Sequence, residues 1–587
     1  MKRLLPCFGL LIIAGLVFGC TQEPGDAPVA LGDIQLVQAE VEAAQPTQPA
    51  EPPEDASLFD AFADLATASE LPDVPEDADP PLVPPFGPGP DDGFGAAPFA
   101  DEGEVIDFFG SEEWERIKAQ SHNNLMLANR QARVRNCGHL NVILIVIDDL
   151  GYGDLGVYGQ EMIKTPHIDE FAQTGVRFTN YYSGSSVGIP SHCTLLTGRH
   201  TGHCRIRGTD EKAFIDRERT LPEVMLMAGL DTAMFGSWKV GDEKTPGVPT
   251  AQGFQESFVD LNPTHARDFY PNYLWRNDRR QPIPGNQNNG RQHYSLDMVT
   301  DEAVDYIHRK GVRRNTRATI GGESPRSNSR PFFMMVSLAP PRGNLEDVPT
   351  LEPYNNEDWP QEQKQYAAMV SRVDESVGRI IDALYERNMK ENTLVILTSD
   401  NGPHDEGVNP EFFNSNGPFN GIKSTLNEGG VRVPMIIWGP SDIVRAAGGV
   451  SHHVWWAPDL LPTLADLVGA WRQPRNIDGV SQVDLFHGRV PERHGPLYWE
   501  LHEDGFEQAA RLDDWKAIRT GLRGPVRLFN LKEDAGEEND VAADNPDLVR
   551  QLAQWMDEER FDSPDWPTVK PPPGPDNPDT QNENASR

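Results

Sequence analysis

The sequence predicts an α/β fold built on a large mixed or parallel sheet sandwiched by helices. Three observations carry that prediction. Val142 to Ile147 is an unbroken apolar, β-branched run, the pattern of a strand buried on both faces of a sheet. Strand-like and helix-like segments then alternate along the chain, as they do where helices cover both sides of a sheet. Two of the strands end in oxygen-rich pairs, Asp148-Asp149 and Asp400-Asn401, at the edge where open α/β sheets place their ligands.

The elements follow in order. After the first strand, "KTPHIDEFAQTGVRFTNYYS" reads as a short helix and a second strand. Thr165 suits the N-cap, Pro166 the first helical position and Gly175 the stop. "TLPEVMLMAGLDTAMFGSW" repeats the plan, with Pro222 near a helix start, Gly229 at its end and a strand through Phe235. "RPFFMMVSLAPP" is a further strand. Tyr366, Met369, Val370, Val373, Val377, Ile380, Ile381 and Leu384 then recur at helical spacing, and "TLVILTSDNG" is the strand that ends in Asp400-Asn401. Near the C-terminus, Leu548, Leu552, Trp555 and Met556 mark an amphipathic helix.

The flanks differ from this core. Residues 1–20 join a basic start, Met1-Lys2-Arg3, to the apolar run Leu4–Phe18 and Gly19-Cys20, a secretory leader too short to span a membrane. Its ending "LVFGC" resembles a bacterial lipoprotein cleavage site with Cys20 as the lipidated residue. Export to the cell envelope, periplasm or outer surface, is therefore expected, with membrane contact only through that anchor. Residues 21–136 form an acidic Pro/Ala-rich tether, without one Lys or Arg from Thr21 to Gly110, and such a segment is expected to be disordered. It carries much of the net charge of −38. An acidic chain without a basic stripe is a poor nucleic-acid binder. Of the five cysteines, Cys137, Cys193 and Cys204 remain after the leader, too few for a disulfide framework. A Cys193–Cys204 bridge and two buried inert thiols both stay open.

Set side by side, Asp148, Asp149, Asp400 and Asn401 bring three carboxylates and an amide together. Such a set repels itself unless a cation sits among them, and hard cations favour it. Asp and Asn also follow strands for turn reasons alone, so residue type leaves both readings open.

At this point the chain resembles the sulfatases of the alkaline phosphatase superfamily. "DDLGYGDLGVYG", "TPHIDEFAQTGVRFTNYYSGS", "PSHCTLLTGRHTGH", "TSDNGPHDEG", "FFNSNGPFNGIKSTLNEGGVRVPMIIWGP" and "DLLPTLADLVGAWRQPRNIDGVS" carry the likeness in family order. The resemblance implies a sulfatase-like α/β domain over 137–488 and a small C-terminal antiparallel-sheet α+β subdomain over 489–562; the Pro- and Asn-rich composition of 563–587 predicts a disordered tail. It implies metal binding by Asp148, Asp149, Asp400 and Asn401, with Ca²⁺ favoured over Mg²⁺. It also implies sulfuric ester hydrolysis, on an aryl sulfate or sulfated carbohydrate.

The catalytic inventory departs from that pattern. Sulfatases make formylglycine from the Cys or Ser that heads a C-x-P-S-R motif; here the five residues are Gly188-Ile189-Pro190-Ser191-His192. Glycine has no Cβ to oxidise, so formylglycine cannot form at Gly188. His192 stands for the motif's Arg, and an imidazole does not replace a bidentate guanidinium. Ser237 stands for the Lys of the family's G-K-W segment, Lys239 for a His that follows it in many members, and Pro340-Pro341 for a Pro-His pair. Lys423 aligns with a sulfate-contacting lysine. Lys239 can return charge lost at Ser237, and His404 sits in a loop beyond Asp400-Asn401; with Lys423 these are the candidate substrate contacts. Ser185, Ser186 and Ser191 flank the empty position out of register, Ser191 suiting a cap for a helix starting near Cys193. Trp455-Trp456 suits a core pair or a carbohydrate platform.

Three functions follow. The first is a sulfatase-family protein impaired by Gly188. The second is an active sulfatase, or a phosphate or phosphonate ester hydrolase, with a rescued nucleophile. The third is a non-catalytic, metal-stabilised glycan-binding protein.

Overall fold

The computed structural model describes residues 140–568, apart from 210–211, 216–217, 312–329, 442, 445–447, 471–472, 487–488, 490, 492–494 and 504. The leader, the tether, Cys20 and Cys137 lie outside the described residues.

The apolar run forms β1 (Asn141–Asp148), buried along its whole length. The other strands of its sheet are β2 (Val176–Phe178), β4 (Asp231–Ser237), β5 (Glu256–Asp260), β6 (Tyr273–Arg276), β7 (Arg279–Pro282), β8 (Phe332–Pro341), β9 (Thr393–Ser399), β10 (Met435–Trp438) and β11 (Gly449–Ser451). Their order is β11-β2-β10-β9-β1-β8-β4-β5-β6-β7. The central set β9, β1, β8, β4 and β5 is parallel; β6 and β7 turn antiparallel on one side and β10 on the other. The sheet is therefore mixed. All five central strands deliver their carboxyl ends to one edge.

Alternation along β1 explains the continuous apolar run. Val142, Leu144 and Val146 enter one core, and Ile143, Ile145 and Ile147 enter the other. The first core holds residues of helices α2 (Gly188–Thr197), α3 (Leu221–Met227) and α6 (Leu460–Leu467). The second holds residues of α1 (Pro166–Thr174), α4 (Ser295–Lys310) and α5 (Gln361–Glu386). The periodic residues from Tyr366 to Leu384 lie on α5 as expected, Ile381 alone of them being half-buried.

Strands β13 (Leu497–Leu501), β14 (Glu507–Leu512), β15 (Trp515–Thr520) and β16 (Val526–Asn530) make a four-stranded antiparallel sheet. One face packs Tyr498, Ala510, Ala517 and Leu528 against Leu552 and Met556 of α7 (Pro546–Glu558). The other packs Trp499, Ile518 and Phe529 against Tyr182, Val187 and Trp456. Trp455 and Trp456, paired as β12 with β3 (Tyr181–Tyr182), are at most 2% exposed, so they are core and not a carbohydrate platform. The ordered chain also passes the expected boundary at 562: Trp566 is buried and its indole donates to the Arg205 carbonyl at 2.7 Å. Cys193 and Cys204 are buried and free, which resolves the open question in favour of inert thiols. Among the described residues no helix is long and apolar enough to cross a membrane.

A buried ionic knot fastens the small sheet to the body. Glu500 lies 2.8 Å from Arg207, 3.4 Å from Arg560 and 2.9 Å from His502. Burial opposes its charge, but the His502 hydrogen bond and the Arg207 guanidinium hold it down at about 2. A carboxylate so depressed adds stability above its ordinary value, and that stability is lost as pH falls toward about 2. We expect Glu500→Gln to cost about 3 kcal/mol at neutral pH, since it strands buried cations. Urea denaturation of both proteins from pH 7 down to pH 3 checks this: the gap should narrow as the medium turns acid.

Candidate active site

The site lies at the carboxyl edge of β1, β9, β4 and β8. β1 and β8 stay in register to Ile147 opposite Leu338, then slip, so that Asp148 pairs with Pro341. Asp149 adopts a φ of +54°. The slip and the left-handed residue turn the two aspartates out of the sheet into a shared pocket. Asp149 N–H donates to Asp400 Oδ1 at 3.0 Å, and Asn401 Nδ2 donates to Asp149 Oδ1 at 2.8 Å. The strand-end pairs expected as a metal set are thus brought together, all within 1% of full burial.

Two lysines enter the same pocket. Lys239, just past β4, has its side chain fully buried, with Nζ 2.6 Å from Asp148 Oδ2 and 2.7 Å from Asp400 Oδ2. Burial opposes its charge, while Asp148 and Asp400 raise its pKa above the ordinary lysine value. Lys423 Nζ donates to Asp149 Oδ2 at 2.7 Å and approaches Glu406 at 3.7 Å. Burial would raise Asp149, but Lys423 and His404 hold it well below the usual carboxylate range. Arg342 completes the cluster 3.5 Å from Asp148. Sequence reasoning missed it, although it follows Pro340-Pro341 directly and sits at the same strand end.

The helix mouth shows what Gly188 does. Gly188 is the first residue of α2, and Val187 is its N-cap. A Cβ built on Gly188 would lie 2.7 Å from Asp400 Oδ2, 3.0 Å from Lys239 Nζ and 3.7 Å from Asn401 Oδ1. The position therefore faces the acid cluster directly. His192 is fully buried, 3.7 Å from Asp400; burial and then the Lys239 charge keep its imidazole neutral. The helix also starts earlier than expected. Ser191 donates its amide to the Val187 carbonyl at 3.2 Å, so it lies inside the first turns and is not the cap. Ser185 Oγ accepts from the Val187 amide at 3.3 Å. Ser237, at the end of β4, donates to Asp260 at 3.1 Å, and burial pushes Asp260 up to about 7. His404 is 1% exposed, so it is no surface-loop residue. Its Nδ1 accepts from the Glu406 amide at 3.0 Å, and burial lowers its pKa.

Among the described residues, two groups of His, Cys, Asp or Glu side chains bring ligand atoms within 4.8 Å of one another: Asp148, His192 and Asp400, and His200, His203 and Asp478. In the second, His203 lies 2.8 Å from Asp478 and His200 3.3 Å from Glu559, while His203 Nε2 is buried without a hydrogen-bond partner. The first has the donor chemistry for a hard cation. Asp148 Oδ1 and Asn401 Oδ1 are buried without a hydrogen-bond partner. The Lys239 ammonium, however, stands between Asp148 and Asp400, so the residues present do not fit a divalent ion together with that lysine.

The space at Gly188 makes a prediction. Gly188→Ala should destabilise the fold by about 1–3 kcal/mol, the usual cost of forcing a methyl into a packed site, because both contacting groups are pinned. Guanidinium denaturation of the two proteins measures it.

Residues 140–470 match the Sulfatase family. Human N-acetylgalactosamine-6-sulfatase is 30% identical over 382 residues, covering 61% of this chain and 68% of its own length. Rat arylsulfatase G is 30% identical, covering 70% of this chain and 84% of its own. Among solved structures, Ps i-CgsB in complex with k-i-k-neocarrahexaose superposes with a TM-score of 0.60 at 27% identity, over 72% of this chain and 94% of that one. With the mixed sheet, the small antiparallel sheet and the acid-lined helix mouth, these matches make the chain a member of the sulfatase family.

Proposed function

We propose that this protein binds sulfated carbohydrate in the sulfatase pocket and does not hydrolyse it by the family's formylglycine chemistry. One observation carries the reading: residue 188, at the mouth of α2 and facing the acid cluster, is a glycine. No side chain there can become an aldehyde. The surroundings support loss over rescue. The three atoms nearest a Cβ at 188 are a carboxylate oxygen, an ammonium nitrogen and an amide oxygen, and none is a hydroxyl. Ser185 is committed to the loop backbone. Removing a nucleophile alone costs several orders of magnitude in rate, and a neutral His192 and Ser237 remove charge that would stabilise a transition state.

The substrate class rests on the relatives, named for N-acetylgalactosamine-6-sulfate and aryl sulfates, and on the solved complex with a neocarrahexaose. Lys423 is the pocket cation best placed for a sulfate. Its side chain is 16% exposed, against none for Lys239.

Purified protein should show no turnover of nitrophenyl sulfate, while carrageenan and chondroitin sulfate oligosaccharides bind in calorimetry. Lys423→Ala should weaken that binding about 10-fold or more, the worth of one charge-assisted hydrogen bond. Turnover by the unaltered chain would refute the loss of hydrolysis. Undiminished binding by the Lys423 variant would refute the pocket assignment.

Export and lipidation at Cys20 belong to the same proposal, on the basic-apolar leader and its "LVFGC" ending. Intact mass of the mature protein from membranes should show Cys20 as the first residue, carrying diacylglycerol. An N-terminus elsewhere, or an unmodified Cys20, would discard the anchor.

A further inference from the structure

We infer that Lys239 is the resident cation of this pocket: its ammonium takes the seat between Asp148 and Asp400 that a divalent ion would need, and Gly188 leaves the room for it. The inference deepens the functional reading above, but its test needs no turnover.

Distance comes first. Calcium sits about 2.3–2.6 Å from its oxygen ligands. Lys239 Nζ is 2.6 Å from Asp148 Oδ2 and 2.7 Å from Asp400 Oδ2. An ion bridging these two oxygens would need nearly the distances that the ammonium already holds, and two cations cannot share that place.

Ligand supply argues the same way. A calcium ion takes about six to eight oxygens. Here Asp149 Oδ1 accepts from Asn401, Asp149 Oδ2 from Lys423, and Asp400 Oδ1 from the Asp149 amide. Asn401 turns its nitrogen toward Asp149, not its oxygen. Asp148 Oδ1 and Asn401 Oδ1 have neither a hydrogen bond nor an ion pair, and Asp148 Oδ2 has only its ion pairs with Lys239 and Arg342. Three cations already stand against these carboxylates: Lys239 against Asp148 and Asp400, Arg342 against Asp148, and Lys423 against Asp149.

The backbone holds the lysine there. Lys239 has a φ of +69°, a left-handed conformation that non-glycine residues keep only when the surroundings fix it. Trp238 beside it is fully buried, its indole donating to the Gly247 carbonyl at 2.6 Å. Across the pocket, any side chain at 188 would begin 3.0 Å from Nζ. Gly188 and Lys239 are therefore one fitted pair.

Elemental analysis and thermal melting of the full chain test this, with Lys239→Met as the variant. Wild-type protein purified without chelator should hold far less than one calcium or magnesium per chain. Its melting temperature should move by about 1 °C or less with EDTA or millimolar CaCl₂, since a ligand that does not bind does not stabilise. Lys239→Met should melt several degrees lower, with two buried carboxylates uncompensated, and should recover on adding CaCl₂. Stoichiometric ion in the wild type, or a melting temperature lowered by EDTA, overturns the inference. A Lys239→Met protein that melts like the wild type, or is destabilised yet ignores calcium, overturns it too. If the variant does not fold, the wild-type ion content decides. A metal-loaded wild type without sulfatase turnover would sink this inference and leave the functional reading standing.

Discussion

The pocket depends on one ammonium held between two carboxylates. Asp148, Asp149 and Asp400 are delivered to the same edge by parallel neighbours β1 and β9, and like charges this close repel by several kcal/mol even at an effective dielectric of about 20. Something positive must stand among them. Lys239, from the end of β4, meets that need for Asp148 and Asp400 together, and Lys423 meets it for Asp149. The other peculiarities follow. His192 stays neutral because burial disfavours its charge and the lysine beside it opposes a second cation. Residue 188 carries no side chain because the ammonium lies where one would point.

That arrangement is braced from the far side. Trp499 of the small sheet donates its indole to the Ser183 carbonyl at 2.9 Å, and its face packs with Val187, the cap of α2. Lys516 of the same sheet sits 2.9 Å from Glu428 and 3.0 Å from Glu537. Glu428 follows the loop that carries Lys423 and accepts from the Tyr182 hydroxyl at 2.6 Å. The C-terminal sheet therefore fixes both the helix mouth and the Lys423 loop. Its buried ion pairs specify that alignment; replacing such pairs by apolar groups is often neutral for stability.

Much of this was legible in the sequence, for physical reasons. A strand buried on both faces must be apolar throughout, so β1 announced itself. The 3.6-residue period of α5 and the oxygen pairs ending β1 and β9 were equally plain, and glycine at 188 is a chemical fact independent of geometry. What the sequence hid depends on distance. Ser191 looked like a cap because its residue type suits one, but the helix already begins at Gly188. Lys239 read as a substrate contact, since nothing in "GSWK" says that the side chain turns inward between two aspartates. Arg342 escaped notice because it lies one residue past the motif that drew attention. His404 read as a candidate substrate contact from its place in the loop, and tertiary packing buries it.

The persistence of the acid cluster around Gly188 is then a matter of coupling. Removing one member of a buried ion pair leaves its partner uncompensated and costs about 3–5 kcal/mol, a large share of a domain's net stability. Lys239 is the shared partner of Asp148 and Asp400, and Asp149 depends in the same way on Lys423. Any single loss strands a charge at the end of the central strand, whereas Gly188 strands nothing. A helix mouth can give up its reactive side chain in one step, but the charges around it can leave only together. Mutual charge compensation is reason enough for Asp148, Asp149, Asp400 and Lys239 to stay together, whether or not the pocket turns over a substrate.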